Sequence, residues 1–165
     1  MQATRIYLEL TTPDQFRPGT PGSPELRVQR VDPQPAQYRE YYRTVGAAYH
    51  WRDRWDWTDA EIAHHLAQPE ITVFVAEDTH RFAGWYELRR VPDDGSVEIA
   101  YFGLVSAAIG RGLGRELLTS AVQAAWALGA TRVWLHTCSL DHPHALPNYR
   151  ARGFAAYRTE TYTLD

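Results

Sequence analysis

The sequence contains a single cysteine, no excess of positive charge and no long apolar run. One cysteine, Cys138, excludes an intramolecular disulfide, and a free thiol is typical of a reducing compartment. The net charge of −3, from 17 basic and 20 acidic residues, argues against a nucleic-acid binder held by a broad basic face. No stretch approaches the roughly 20 apolar residues of a membrane-spanning helix, and the N-terminus lacks the pattern of a signal peptide. We therefore expect a cytoplasmic protein that binds neither nucleic acid nor membrane.

The residues that are present suffice for one apolar core. Of the 165 residues, 44% are hydrophobic and 13% are aromatic, which is ordinary for a globular domain. Four prolines and two glycines fall within residues 11–25, and this density predicts an irregular loop. We therefore divide the chain into an N-terminal strand with an irregular extension, residues 1–25, and one domain over residues 26–165.

The spacing of apolar residues predicts a series of helices and strands. Strands are predicted over residues 5–10, 26–31, 71–76, 82–90, 97–105, 131–137 and 157–164, and helices over residues 36–49, 59–67 and 113–128, with a short helical region that ends near residue 152. Thr58 and Glu61 have the spacing of a capping box at the start of the second helix. The three strands between residues 71 and 105 are joined by short turns, which predicts an antiparallel meander.

A glycine-rich segment, Gly110-Arg-Gly-Leu-Gly-Arg115, lies between the last meander strand and the long helix. The first turn of a helix offers unpaired N–H groups and partial positive charge, which favour phosphate. Glycine also lets the backbone approach an anion closely. Two common phosphate loops are excluded, because residue 115 is Arg where a dinucleotide fingerprint needs Gly, and no Lys-Ser or Lys-Thr pair follows. The segment predicts either an anion site of another type or a glycine turn without a ligand.

Two stretches of the chain resemble motifs of the GNAT N-acetyltransferase superfamily. Residues 97–118, VEIAYFGLVSAAIGRGLGRELL, are similar to its coenzyme A-binding core, whose loop pattern maps onto Ile109, Gly112 and Gly114. Residues 145–154, ALPNYRARGF, resemble its late motif, in which alanine, tyrosine and Gly-Phe recur at this spacing. The order of the predicted elements also agrees with the family.

The resemblance covers roughly residues 26–164 and implies the fold class. The expected fold is α+β, a three-layer α/β/α sandwich with a mixed, mostly antiparallel sheet, a central meander and about four helices. Three features depart from the family pattern. Ile109 replaces an Arg or Gln near the pyrophosphate, and His142 replaces a frequent asparagine. Pro143 and Pro147 are expected to interrupt the short helix, because proline removes an N–H group and clashes with the preceding turn.

The resemblance implies a function as well. The chain is expected to be an N-acetyltransferase that moves an acetyl group from acetyl-CoA directly onto a primary amine of a small molecule, without a metal, as a monomer or homodimer. Three alternatives stay open: acetylation of a protein or peptide amine, transfer of a longer acyl group, and a non-catalytic acyl-CoA-binding regulatory module.

The family pattern also assigns residues to the cosubstrate. Backbone N–H groups of the glycine-rich loop would hold the pyrophosphate, and the residues concerned are Ile109, Gly110, Arg111, Gly112, Leu113, Gly114 and Arg115. Leu104 and Val105 would pair with the pantetheine arm like a substitute strand. Tyr149 would contact the cosubstrate and protonate the departing sulfur as the general acid; its other interpretation is a core tyrosine.

Glu98 is the candidate general base. Strict alternation places it on one face of a strand with Ala100, Phe102 and Leu104, so its surroundings are expected to be apolar. Desolvation of this kind gives a carboxylate the proton affinity that a base needs. In part of the superfamily a glutamate lies at this spacing before the glycine loop. The other interpretation is a solvent-facing glutamate just beyond a turn.

Two further clusters are candidates for the acceptor side. Trp51, Trp55 and Trp57 predict either the wall of an acceptor pocket or ordinary packing. A later cluster comprises His136, Cys138, Asp141, His142 and His144; its spacing is a weak match to a metal site. We expect His136 and Asp141 to contact the substrate, although Asp141 is also placed to cap the short helix.

Overall fold

A computed structural model describes residues 1–20 and 25–164, and it contains one seven-stranded sheet and four α-helices within that range. The strands are β1 (Gln2–Leu10), β2 (Leu26–Val31), β3 (Ile71–Asp78), β4 (Arg81–Val91), β5 (Ser96–Leu104), β6 (Val133–Cys138) and β7 (Ala155–Thr163). The helices are α1 (Pro35–Gly46), α2 (Asp59–Leu66), α3 (Leu113–Ala127) and α4 (Ala145–Ala151). No helix among them is long and apolar enough to cross a membrane.

The sheet has the strand order β2-β3-β4-β5-β6-β1-β7, and every neighbouring pair is antiparallel except β5 and β6. Helices α1 and α2 pack on one face, which we call the front face, and α3 and α4 pack on the other, the back face. Successive residues of the meander alternate between the two cores, as a pleated strand requires: Trp85 lies in the front core and Tyr86 in the back core. The predicted α+β sandwich with a mostly antiparallel sheet is confirmed.

The early helices follow the sequence prediction closely. Helix α2 begins with the predicted capping box, in which Thr58 Oγ1 accepts from the Glu61 N–H and a Glu61 oxygen accepts from the Thr58 N–H. Helix α1 ends at Gly46 and continues as a single 3₁₀ turn, where one helix to residue 49 was predicted. The Trp51 side chain packs against Gly46 so closely that a Cβ there would lie 2.4 Å from the indole ring. The loop folds back at this point because glycine leaves room for the ring.

The N-terminal residues are part of the same sheet. Strand β1 pairs with both β6 and β7. In the predicted loop, residues 13–15 form one 3₁₀ turn, and residues 21–24 lie outside the described part of the chain. The Arg17 N–H donates to the Arg152 carbonyl at 2.8 Å, and this bond ties the segment to the end of α4. The division of the chain at residue 25 stays a prediction.

Candidate active site

A cavity of about 690 Å³ opens between β5 and β6. These two parallel strands pair only at Val97 with Val133 and at Glu98 with Trp134, so they separate towards their C-terminal ends. One end of the cavity reaches the glycine-rich loop and the start of α3. The other end reaches the front face below the loop that joins α1 to α2.

A β-bulge in β5 sets which side chains enter the cavity. Tyr101 pairs with Glu87 and Ile99 pairs with Leu88, so Ala100 is the extra residue. Every side chain beyond a bulge changes face relative to strict alternation. Ile99 and Phe102 therefore both pack into the back core, while Tyr101 packs into the front core. The predicted common face of Glu98 with Phe102 and Leu104 is wrong.

The surroundings of Glu98 are also more polar than predicted. The residue is 7% exposed, and its Oε2 accepts from Arg89 Nε at 2.9 Å and lies 2.7 Å from Arg89 Nη2. Its other oxygen, Oε1, lies 4.0 Å from His136 Nε2. The expectation of apolar surroundings is wrong, because Arg89 stands directly opposite Glu98 on β4. The two Arg89 contacts leave Oε1 on the cavity side.

The glycine-rich loop has the backbone of an anion site. Gly110 and Gly112 have φ of 86° and 77°, which residues with a side chain rarely adopt. Helix α3 begins immediately afterwards, and its N-cap residue, Gly112, has no side chain that could cap the first turn. The N–H groups of that turn are therefore available to a ligand, at the end of the helix that attracts negative charge. Arg115 lies against Gly112, where a Cβ would come within 2.8 Å of its Nη2.

The predicted cosubstrate residues divide into two groups. The cavity is lined by Leu104, Ile109, Gly110, Gly112, Gly114, Arg115 and Tyr149. Three others lie outside the lining: the Arg111 side chain pairs with Asp78 at 2.6 Å, Leu113 is buried in the core, and the Val105 N–H donates to the Ala83 carbonyl. The Val105 N–H is thus used by the sheet, which contradicts its predicted pairing with the pantetheine arm.

Tyr149 faces the cavity from α4. The residue is 6% exposed, and its ring packs edge-on against Phe102 and Phe154 at centroid distances of 6.1 and 6.2 Å. Burial raises the pKa of its phenol, so the hydroxyl keeps its proton at neutral pH. Pro147 was expected to interrupt the helix, but α4 runs through it. Pro147 lies in the first turn, where a backbone N–H has no intrahelical partner to lose.

Comparison with known proteins decides the family. A sequence model of the acetyltransferase (GNAT) family matches residues 35–154, which is most of the chain. The chain belongs to this family. The predicted membership is thereby confirmed.

Individual relatives support the same family. The mycothiol acetyltransferase of Mycobacteroides abscessus is 31% identical over 133 residues, covering 76% of this chain and 45% of that protein. A GCN5-related N-acetyltransferase from Sphaerobacter thermophilus has a TM-score of 0.71 at 17% identity, over 95% of this chain and 49% of that one. An aminoglycoside acetyltransferase from an uncultured soil metagenomic sample, in complex with sisomicin, has a TM-score of 0.65 at 18% identity, over 78% and 87% of the chains. This GNAT chain therefore spans less than half the length of the curated relative.

Of the three tryptophans predicted for the acceptor side, Trp51 lines the cavity and packs edge-on against Tyr101 at 4.9 Å. Trp55 lies outside the cavity, beneath the guanidinium groups of Arg43 and Arg52. Trp57 packs against α2. The prediction of a three-tryptophan wall is wrong for the last two, because the loop turns their rings towards the helices.

His136 and Asp141, both predicted to contact the substrate, line the cavity. Desolvation of the imidazole by the surrounding protein and the charge of nearby Arg5 lower the pKa of His136, so its imidazole is neutral at pH 7. Asp141 Oδ2 accepts from Thr137 Oγ1 at 2.5 Å and from the Cys138 N–H at 2.9 Å. Asp141 therefore fixes the end of β6, and the cap position of α4 belongs to His144.

The remaining members of that cluster form no metal site. The rings of His142 and His144 pack edge-on, with their centres 4.8 Å apart. Burial raises the pKa of the Cys138 thiol, which opposes a role as a nucleophile. Within residues 1–20 and 25–164, no group of three or more His, Cys, Asp or Glu side chains is placed to hold a metal ion.

The sequence analysis missed a buried ionic network behind the acceptor end. Glu87 of β4 is fully buried, and both its oxygens accept from Arg54 Nη1, at 2.9 and 2.8 Å. Tyr38 Oη donates to Glu87 at 2.6 Å, and His65 Nε2 lies 3.1 Å from the same oxygen. The sequence did contain one sign of this network: Glu87 is a single glutamate within the mainly apolar predicted strand over residues 82–90. A carboxylate buried there needs a cationic partner.

The network holds the acceptor loop on the sheet. Tyr38 belongs to α1, His65 to α2 and Arg54 to the loop between them, so one carboxylate joins three segments. Burial opposes the ionisation of Glu87, but the hydrogen bond from His65 and the charge of Arg54 outweigh it and keep the pKa of Glu87 below its usual value. Arg54 also lines the cavity, with its guanidinium 4.5 Å from the Tyr101 ring.

Proposed function

We propose that this chain is an acetyl-CoA-dependent N-acetyltransferase whose acceptor is a primary amine of a small molecule. The single observation that carries the proposal is the continuity of the cavity. One space joins the start of α3, the buried phenol of Tyr149 and the carboxylate of Glu98. An anion site, an acid and a base in one cavity suit acyl transfer from an anionic thioester to an amine. The mycothiol and aminoglycoside acetyltransferases to which the chain is similar carry small molecules in their names.

The residues present fit acetyl-CoA. Two left-handed glycines and the unpaired amides of α3 suit its pyrophosphate, and Arg115 and Arg152 add positive charge at the same end. Asn148 Nδ2 donates to the Gly114 carbonyl at 3.2 Å and fixes α4 against the loop. Acetyl-CoA supplies an activated acetyl group as a thioester. The separated edges of β5 and β6 leave room for its pantetheine arm.

Glu98 serves as the proton acceptor. Its Oε1 faces the cavity while Arg89 holds Oε2, so the carboxylate is oriented and one oxygen is available to the acceptor ammonium. An amine must lose a proton before it attacks a carbonyl, and a carboxylate at hydrogen-bond distance removes it. A phenol carries its proton at neutral pH, so Tyr149 can donate it to the leaving sulfur. The phenolate then regains a proton from the attacking nitrogen, which must lose a second proton to become the amide nitrogen.

A thiol-release assay tests the proposal. The purified chain is mixed with acetyl-CoA and a panel of small amines, peptides and polyamines, and free coenzyme A is measured. The chain contains no lysine, so release without an added amine cannot come from acetylation of its own lysine side chains. The expected result is that coenzyme A is released from acetyl-CoA when a small primary amine is added. Binding of acetyl-CoA without release from any amine identifies a non-catalytic module and overturns the proposal.

In the same assay, Tyr149→Phe is expected to lower kcat by about 10²-fold, within the usual range for a general acid. The ring and its packing against Phe102 are retained, so acetyl-CoA affinity should stay within about twofold. The matched control is Tyr86→Phe, a buried tyrosine whose hydroxyl bonds Ser120 on the back face, away from the cavity. Wild-type turnover by the Tyr149 variant would remove Tyr149 from the mechanism.

A further inference from the structure

A row of charged and polar side chains crosses five adjacent strands on the front face. In strand order it contains Arg89 of β4, Glu98 of β5, His136 of β6, Arg5 of β1 and Glu160 of β7. The register places Arg89 opposite Glu98 and Arg5 opposite Glu160. On β6, Glu98 pairs with Trp134 and Arg5 pairs with Cys138, so the row runs obliquely, with His136 between these two positions. All except Glu160 line the cavity. The acceptor end of the cavity therefore presents a carboxylate, an imidazole and a guanidinium in succession.

Among the described residues, Arg5 has no carboxylate within hydrogen-bond distance, and its guanidinium lies 4.7 Å from the centre of the Tyr162 ring. Its Nη1 lies 3.9 Å from Glu160 Oε2, which is too long for a hydrogen bond. Glu160 is already engaged by the Tyr7 hydroxyl at 3.1 Å and by Arg158. The Arg5 Nε is buried and has no hydrogen-bond partner among residues 1–20 and 25–164. A guanidinium with unused donors at the edge of a cavity is suited to an anion.

The charge balance of the cavity points the same way. Among the described residues that line it, six are arginines and three are carboxylates. The arginines are Arg5, Arg52, Arg54, Arg89, Arg115 and Arg152, and the last two lie at the α3 end. The other four surround the acceptor end, where the carboxylates are Asp53, Glu98 and Asp141. Arg54 is paired with Glu87 and Arg89 with Glu98, whereas Arg5 has only the longer contact with Glu160. An acceptor with one ammonium and one anionic group would be complemented by Glu98 and Arg5.

From this arrangement we infer that the acceptor is an amine that also carries a carboxylate, with its ammonium at Glu98 Oε1 and its carboxylate at Arg5. The inference rests on the proposed function and specifies its substrate class. Glu98 pairs with Trp134 of β6 and Arg5 pairs with Cys138, so the two residues are two strands and four residues apart and their Cα atoms are separated by roughly 16 Å. Side chains that reach inward from both positions leave space for an amino acid between them. His136 lies between the two groups and is neutral, so it repels neither end of a zwitterion.

The inference is tested with matched pairs of acceptors in the thiol-release assay. The panel contains α- and ω-amino acids, each with its carboxamide, and spermidine as a polycation. The wild-type chain is expected to have a kcat/KM about 10–100-fold higher for an acid than for its carboxamide, as one charge-assisted pair provides. Spermidine is expected to be the poorest acceptor.

Arg5→Gln should reduce that preference to within about threefold, mainly by raising KM for the acids, and leave acetyl-CoA binding and carboxamide turnover unchanged. Arg132→Gln is the control, because Arg132 lies on the same face, pairs with Glu9 of β1 at 2.9 Å and does not line the cavity. Carboxamides or spermidine used as well as the acids by the wild-type chain would overturn the inference while leaving the acetyltransferase proposal intact. Absence of release from every amine would instead contradict the proposed function.

Discussion

Replacement of Glu87 by Gln is expected to lower the free energy of unfolding by about 3–5 kcal/mol, the usual effect of removing one partner of a buried ion pair. The carboxylate is fully buried, and Arg54, which is 14% exposed in its side chain, has no other carboxylate within salt-bridge distance among the described residues. The substitution therefore leaves a cation in a site that water hardly reaches. Urea unfolding followed by tryptophan fluorescence measures the change.

Two control variants show how much of this loss of stability comes from breaking the buried ion pair rather than from losing any single polar contact. Tyr38→Phe removes one hydrogen bond to the same carboxylate and is expected to destabilise by about 1 kcal/mol. Arg39→Gln removes the exposed pair with Asp59 and should change stability by less than about 1 kcal/mol. A Glu87→Gln variant no less stable than these controls would show that Arg54 finds solvent or another partner.

The pH dependence of stability provides a second readout of the same carboxylate. The folded-state pKa of Glu87 is lowered, so its contribution to stability is complete above the unfolded-state pKa of about 4.3. The contribution is lost as the pH falls through the lower folded-state value. The stability difference between wild type and Glu87→Gln should therefore be constant near neutral pH and shrink in acid. A difference that grows in acid would contradict the ion pair.

Replacement of Glu98 by Gln is expected to lower kcat by about 10²-fold or more, because the amide retains the shape of the side chain but cannot accept a proton. Acetyl-CoA affinity should be unchanged, since the glycine-rich loop lies at the other end of the cavity. The matched control is Glu9→Gln, a front-face glutamate that pairs with Arg132 outside the cavity. Steady-state kinetics with calorimetric acetyl-CoA binding checks both parts. A Glu98→Gln variant with wild-type turnover would assign proton removal to another group.

The local elements were predictable because each depends on neighbouring residues. Short stretches of sequence are enough to recognise the apolar spacing of α3, the capping box of α2 and the polar turns of the meander. The glycine-rich loop was predictable as well, because Gly110 and Gly112 occupy the left-handed positions that only glycine fits easily. The order of the elements followed from the same patterns and agreed with the family that the chain resembles, and the resemblance then supplied the fold class.

Features that depend on distant residues were not predictable. The bulge at Ala100 changed the face of every later residue of β5, and nothing in VEIAYFGLV marks it. Arg5 reaches the cavity because β1 lies between β6 and β7, a pairing that joins residues more than 120 positions apart. The partner of Glu87 was hidden for the same reason, since Arg54 lies in a loop 33 residues earlier. Local patterns specify elements, whereas this site is assembled by sheet topology.

Arg5 and Tyr162, which line the cavity, lie outside the family match of residues 35–154. Arg5 belongs to β1 and Tyr162 to β7, and the Tyr162 ring lies 4.7 Å from the Arg5 guanidinium. Trp51, Glu98 and His136, which line the same cavity, lie inside the match.

Calorimetric titration with acetyl-CoA tests the central claim most directly, because every proposed role depends on an anion site at the start of α3. We expect saturable heat for the wild type and at least about tenfold weaker binding for Gly112→Ala, whose added Cβ strains a left-handed residue and displaces Arg115. Gly129→Ala is the control, since Gly129 has a φ of 86° at the opposite end of α3. No heat with the wild type, or equal affinity for the Gly112 and Gly129 variants, would contradict the account.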